Sequence, residues 1–159
     1  EKNGIAGYEK GYMNTGYFLE KFAGRNSFKW TGAGNMELNF PQNMYEIRLA
    51  DTYLLEAEAL IRGGGDLKRA ATLLNAVRNR AYKSTTGNIA ATLDNIIKER
   101  RLELAGEGHR WFDLVRWKIA PQVLGSRGFQ AGKHEILPIP LLEMDNTKIQ
   151  QSKEWGGTK

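Results

Sequence analysis

The sequence has no cysteine, which excludes disulfides, thiolate metal sites and cysteine nucleophiles. Histidine is almost as scarce, being confined to His109 and His134. An isolated histidine serves as a capping or surface group more often than as a catalyst. No apolar run approaches the roughly 20 residues that a membrane-crossing helix needs. Signature loops are missing too. The sequence contains no Gly-x-x-x-x-Gly-Lys phosphate cradle, no His-Glu-x-x-His and no Gly-x-Ser-x-Gly elbow. Gly32-Ala33-Gly34 lacks the third glycine of a dinucleotide turn. These absences predict a protein without catalytic residues, cofactor or metal.

A basic block is absent as well. The net charge of +5 is spread thinly: five Lys/Arg face four Asp/Glu in residues 1–40, thirteen face ten in 41–118, and five face four in 119–159. Phosphate-backbone binding needs clustered cations, so nucleic acid is not an expected partner.

The chain has 159 residues, 41% hydrophobic and 26% charged. That suffices for a single domain with a core of its own. Three zones are visible. Residues 1–41 interleave Gly and Asn with aromatics and read as loops with short strands, the clearest near Tyr17–Phe22. Residues 42–118 read as a helical-hairpin scaffold. Residues 119–159 read as an irregular segment packing on the helices, with Ile136–Pro140 extended because its prolines remove backbone donors.

Within the helical zone, Asn43 and Glu46 make a capping pair. Ile47, Ala50, Leu54, Ala57 and Ile61 then share one stripe, predicting a helix over 44–62. Gly63, Gly64 and Gly65 stop it. Asp66 caps a second helix over 67–82, with Leu67, Ala70, Ala71, Leu74, Val77 and Ala81 inward. So short a link makes the two an antiparallel hairpin. Thr92 caps a third helix over 92–105, carrying Leu93, Ile96, Ile97 and Leu104 inward. After Gly106 and Gly108 a short aromatic helix follows, with Trp111, Phe112 and Trp117 expected in the core. The fold class is mainly α: antiparallel hairpins of tetratricopeptide-like geometry, with irregular loops and a few short strands. The residue signature of that repeat is absent.

Charges sit inside these apolar stripes. Glu58 falls about 20° from Ile47 by helix geometry. Arg78 lies within the Leu67/Leu74 stripe, and Arg100 lies between Leu93, Ile97 and Leu104, flanked by Glu103 and Glu107, with Glu99 also counted among the ion-pair residues. Burying an unpaired charge costs several kcal/mol. Arg100 is therefore expected to be buried and ion-paired, with Glu103, Glu107 or Glu58 as partners. A metal or acid/base site from Glu99, Glu103, Glu107, His109 and Asp113 is the competing reading. The Glu-x-x-His spacing of carboxylate-bridged metal sites is missing, and the ion-pair network is the plainer account.

The same residues resemble a known family. Arg48-Leu49-Ala50-Asp51-Thr52-Tyr53-Leu54-Leu55-Glu56-Ala57-Glu58-Ala59 and Leu74-Asn75-Ala76-Val77-Arg78-Asn79-Arg80-Ala81 are similar to two helices of SusD/RagB proteins. Ile97–Leu104 running into Glu107-Gly108-His109-Arg110-Trp111-Phe112-Asp113-Leu114-Val115-Arg116-Trp117 resembles their most specific block, and Leu137-Pro138-Ile139-Pro140 resembles their ending. Gln151-Ser152-Lys153-Glu154-Trp155 departs from the usual tail.

The resemblance implies the C-terminal region of a longer, lipid-anchored protein on the outer-membrane surface, with its anchor upstream. Such proteins hold oligosaccharides or polysaccharides for a TonB-dependent, SusC-like transporter. The motif helices would then be scaffold. Sugars stack on aromatic rings and bond to amides. Tyr12, Asn14, Tyr17 and Trp30 are therefore candidate ligand residues; the alternative is that these aromatics pack strands onto the helices. Two other functional classes stay open: a helical scaffold for a polypeptide ligand, and the metal-dependent hydrolase.

Overall fold

The computed structural model describes residues 20–22, 45–145 and 148–157. The chain divides after Ile47 into two compact units, a few residues beyond the expected boundary at 41. The helical unit begins at Arg48.

Helix α1 spans Leu49–Arg62 and α2 spans Leu67–Tyr82. The Gly63–Asp66 link turns the chain back at Gly64, whose φ of +67° suits glycine. The two helices share the largest interhelical contact, as an antiparallel hairpin. The Asp66 carboxylate accepts from the amides of Lys68 at 2.8 Å and Arg69 at 3.1 Å, so the second helix starts where a cap was expected. Helix α3, Leu93–Glu103, packs on both members of the hairpin and is capped by Thr92, whose hydroxyl accepts from the Asn95 amide at 3.2 Å.

Leu54, Ala57, Ala70, Leu73, Leu74, Val77 and Ile96 form the buried centre. Leu54, Leu74 and Ile96 lose all contact with water, each worth about 1.5–3 kcal/mol. Asn75 fastens the following loop to this core. Its side chain accepts from the Ile89 amide and donates to the Ile89 carbonyl, both at 2.9 Å.

Beyond Gly106 and Gly108, both at φ +82°, α4 spans His109–Arg116 and α5 spans Ala120–Leu124. Helix α4 packs chiefly on α5, and the described fold is mainly α, as expected. A one-turn helix, α6, covers Leu141–Met144, and 3-10 turns cover Gly125–Arg127 and Lys153–Trp155. The C-terminal segment is thus less irregular than expected, while residues 137–140 carry no regular secondary structure.

Several local expectations need correction. Helix α1 starts at Leu49, not 44. Arg48 holds an extended backbone there, and its side chain is committed to distant carboxylates. Asn43 lies outside the described residues, and Ile47 precedes the helix with 79% of its surface exposed. Leu67 and Ala81 sit at the ends of α2 and are exposed. Among the described residues there is no strand. Of the segment near Tyr17–Phe22, Glu20–Phe22 is a 3-10 turn, too short a run for alternation to separate the two conformations. Phe112 is 65% exposed, because on an eight-residue helix it lies about 100° away from the inward Asp113.

Candidate functional site

The charged residues of α1, α3 and α4 form a connected network. Arg100 on α3 is buried; its Nη1 donates to Asp51 Oδ1 at 2.7 Å and its Nε to Asp113 Oδ2 at 2.8 Å. The other Asp113 oxygen accepts from Arg116 Nε at 2.9 Å. Arg116 in turn forks onto both oxygens of Glu58 at 2.7 Å. Glu58 also accepts from Arg62 Nε at 2.7 Å and Trp117 Nε1 at 2.8 Å. Such bidentate, charge-assisted bonds are the strong ones. Burial alone would push the Glu58 carboxyl up, but the bonds from Arg116, Arg62 and Trp117 outweigh it and hold the group down at about 2.

A second cluster closes the start of α1 against the end of α3. Arg48 grips both Glu107 oxygens, at 2.7 and 2.8 Å, and donates to the Glu103 carboxylate and to its carbonyl at 2.8 Å. The Glu107 bond foremost holds the Arg48 guanidinium firmly in its charged form. Arg80 reaches Glu103 from α2. Arg78 donates to Glu99 at 3.1 Å and to the Gly87 carbonyl at 2.7 Å.

The partners expected for Arg100 therefore need correction. Glu103 and Glu107 serve Arg48, and Glu58 serves Arg116, while Arg100 takes Asp51 and Asp113. Asp51 is open to the same argument as Glu58, since the two are seven residues apart on one stripe. Asp113 is not, because its approach depends on how the glycines redirect the chain. Of the five residues in the competing metal reading, all four carboxylates bind arginines, and His109 opens α4. Among the described residues no three His, Asp or Glu side chains are grouped to hold a metal ion.

Aromatic rings gather beside α4. Trp111, Phe129, His134 and Trp155 run ring to ring at 5.5–5.6 Å between centroids. Lys133 sits 4.6 Å from the Trp155 ring centroid, and His134 stacks on that ring at 29°. Trp155 Nε1 donates to the Ile136 carbonyl at 2.7 Å. These contacts pin the C-terminal segment to itself and leave little of the Trp155 faces to a ligand. Tyr12, Asn14, Tyr17 and Trp30 lie outside the described residues.

A cleft of about 450 Å³ is bounded by the end of α3, by α4 and by α5. Leu104, Leu114, Val123 and Leu124 supply apolar wall, and Arg101, Arg110 and Arg127 supply charge. Sequence patterning draws attention to charges embedded in apolar stripes, and it does not single out these three arginines.

Comparison with known proteins agrees with the motif blocks. The SusD family model matches residues 3–155. A SusD-like protein of Bacteroides ovatus is 42% identical over 83 residues, covering 51% of this chain and 15% of its own length. SusD-like protein P2 of Formosa agariphila is 32% identical over 130 residues, covering 71% of this chain and 26% of its own length. Among solved structures, a laminarin-binding SusD-like protein superposes with a TM-score of 0.77 and 53% identity, over 91% of this chain and 30% of that one. Surface glycan-binding protein A from Bacteroides thetaiotaomicron, in complex with laminarihexaose, gives 0.65 and 38% over 75% of this chain and 27% of its own. The chain belongs to the SusD family. It spans about a quarter or less of the curated relatives named here, and under a third of the solved ones.

Proposed function

We propose that the chain is the C-terminal part of a cell-surface glycan-binding protein that holds laminarin-type oligosaccharides and delivers them to a TonB-dependent, SusC-like transporter. It acts by binding, without catalysis, and is lipid-anchored to the outer membrane through a segment upstream. The observation that carries this reading is the 53% identity over 91% of the chain to a laminarin-binding relative.

The described helices supply scaffold in this reading. Each carboxylate of the motif blocks that lies within a stripe is bonded to arginine, which leaves it poorly placed to meet neutral sugar hydroxyls. Ligand contacts fall instead to Tyr12, Tyr17 and Trp30, whose rings suit the C–H faces of pyranoses, and to Asn14, whose amide suits hydroxyls.

Calorimetric titration of the full-length protein with laminarihexaose tests the proposal. Saturable binding that weakens severalfold in Trp30→Ala and Tyr12→Ala is expected. No binding of laminarihexaose or of laminarin polymer, alongside tight binding to a polypeptide, would replace it with the helical interaction scaffold.

A further inference from the structure

The described residues include ten arginines. Seven pair with carboxylates. The other three, Arg101, Arg110 and Arg127, have no carboxylate partner among the described residues, and all three line the cleft beside α4. They come from three elements: α3, α4 and the turn after α5. Among the described residues Asp113 is the only acidic one lining this cleft, and both of its oxygens are already taken by Arg100 and Arg116. One nitrogen of Arg110, Nη1, is shut off from water with no hydrogen-bond partner. Burial first, and then the nearby Arg101, pull its guanidinium toward the neutral form, with Asp113 only partly opposing. Like charges gathered over a buried, unsatisfied donor cost free energy unless an anion completes them.

We propose that this cleft is a carboxylate-binding site that receives acidic side chains of a partner polypeptide docking over α3, α4 and α5. The charge fits: planar guanidinium groups take carboxylates bidentately, and the protein answers every other described arginine with Asp or Glu. The walls fit as well. Leu104, Leu114, Val123 and Leu124 give the cleft apolar sides. Phe112 stands exposed on α4, and arginine beside an aromatic anchor is the mixture enriched at protein interfaces. A neutral sugar would leave the three charges uncompensated. The proposal goes beyond the glycan reading and does not depend on it.

The test is calorimetric titration of the full-length protein at low ionic strength with a capped Glu-Glu-Leu-Glu-Glu peptide. Tetragalacturonate, which carries the same charge on a sugar backbone, is the comparison probe. Saturable one-site binding of the peptide is expected. It should weaken about tenfold or more in Arg110→Gln and in Arg127→Gln, the scale of one lost charge-assisted bond. Arg69→Gln, an exposed arginine in the first turn of α2 and outside the cleft, should bind like the parent. Arg127 is exposed, so its variant decides the matter if Arg110→Gln fails to fold by circular dichroism. Absence of saturable peptide binding overturns the proposal, as does equal weakening in Arg69→Gln. Tighter binding of tetragalacturonate than of the peptide also overturns it, in favour of an acidic glycan.

Discussion

Arg100 Nη1 on α3 donates to Asp51 Oδ1 on α1 at 2.7 Å, with the two side chains only 2% and 7% exposed. This contact joins the hairpin to α3 and α4, because the same guanidinium also holds Asp113 on α4. Removing one member of a buried pair strands the others without solvent, at a cost of roughly 3–5 kcal/mol. Arg100→Ala is therefore expected to lose that much stability in urea denaturation. A loss below about 1 kcal/mol would place the pair in the surface class and contradict its structural role.

Acid should dissolve the Glu58 part of the network. Its carboxyl is held at about 2 against an ordinary 4.5, so the stabilisation is complete above pH 4.5 and is lost as the pH falls toward 2. By linkage this is worth roughly 3 kcal/mol. Glu58→Gln should be less stable than the parent at pH 7, and the difference should shrink as melts are taken from pH 4.5 to pH 2. A gap that stays constant across that window contradicts the assignment.

Packing predictions separate the centre of α2 from its end. Leu74 is wholly buried, and Leu74→Ala should cost about 2–5 kcal/mol. Leu67 in the first turn is exposed, and Leu67→Ala should stay within about 0.5 kcal/mol. Equal losses in denaturant titrations would mean that the hairpin core lies elsewhere.

The Asp66 cap gives a narrower test. Its carboxylate bonds to two amides of the first turn, and Asp66→Ala should cost about 1 kcal/mol while Asp66→Ser or Asp66→Asn recovers most of it. Failure of those rescues would mean that charge, rather than the hydrogen bonds, supplies the effect.

The contrast between α2 and α1 shows what is legible in sequence. Helix α2 occupies residues 67–82, as expected, because its start, stripe and stop are all local: Asp66 caps it and Leu74 and Val77 point inward. The start of α1 is not a local matter. Arg48 is fixed by Glu103 and Glu107, more than fifty residues on, and the helix begins only after that anchor. The burial of Arg100 follows from its place on an apolar stripe. Its partners do not, since proximity in sequence favours Glu103 and Glu107, whereas the fold brings Asp51 and Asp113. The arginine cleft leaves no periodic signal, because its three charges come from separate elements.

Scaffold and ligand site are told apart most directly by measuring laminarihexaose affinity, per folded molecule, in full-length Arg100→Ala, Trp30→Ala and Tyr12→Ala proteins beside their thermal melts. The expected result is a melting point depressed in Arg100→Ala with the affinity of its folded fraction kept, and affinity lost in Trp30→Ala or Tyr12→Ala with melting nearly unchanged. An Arg100→Ala protein that melts like the parent but no longer binds the hexasaccharide would make the helices the binding site and contradict the scaffold account.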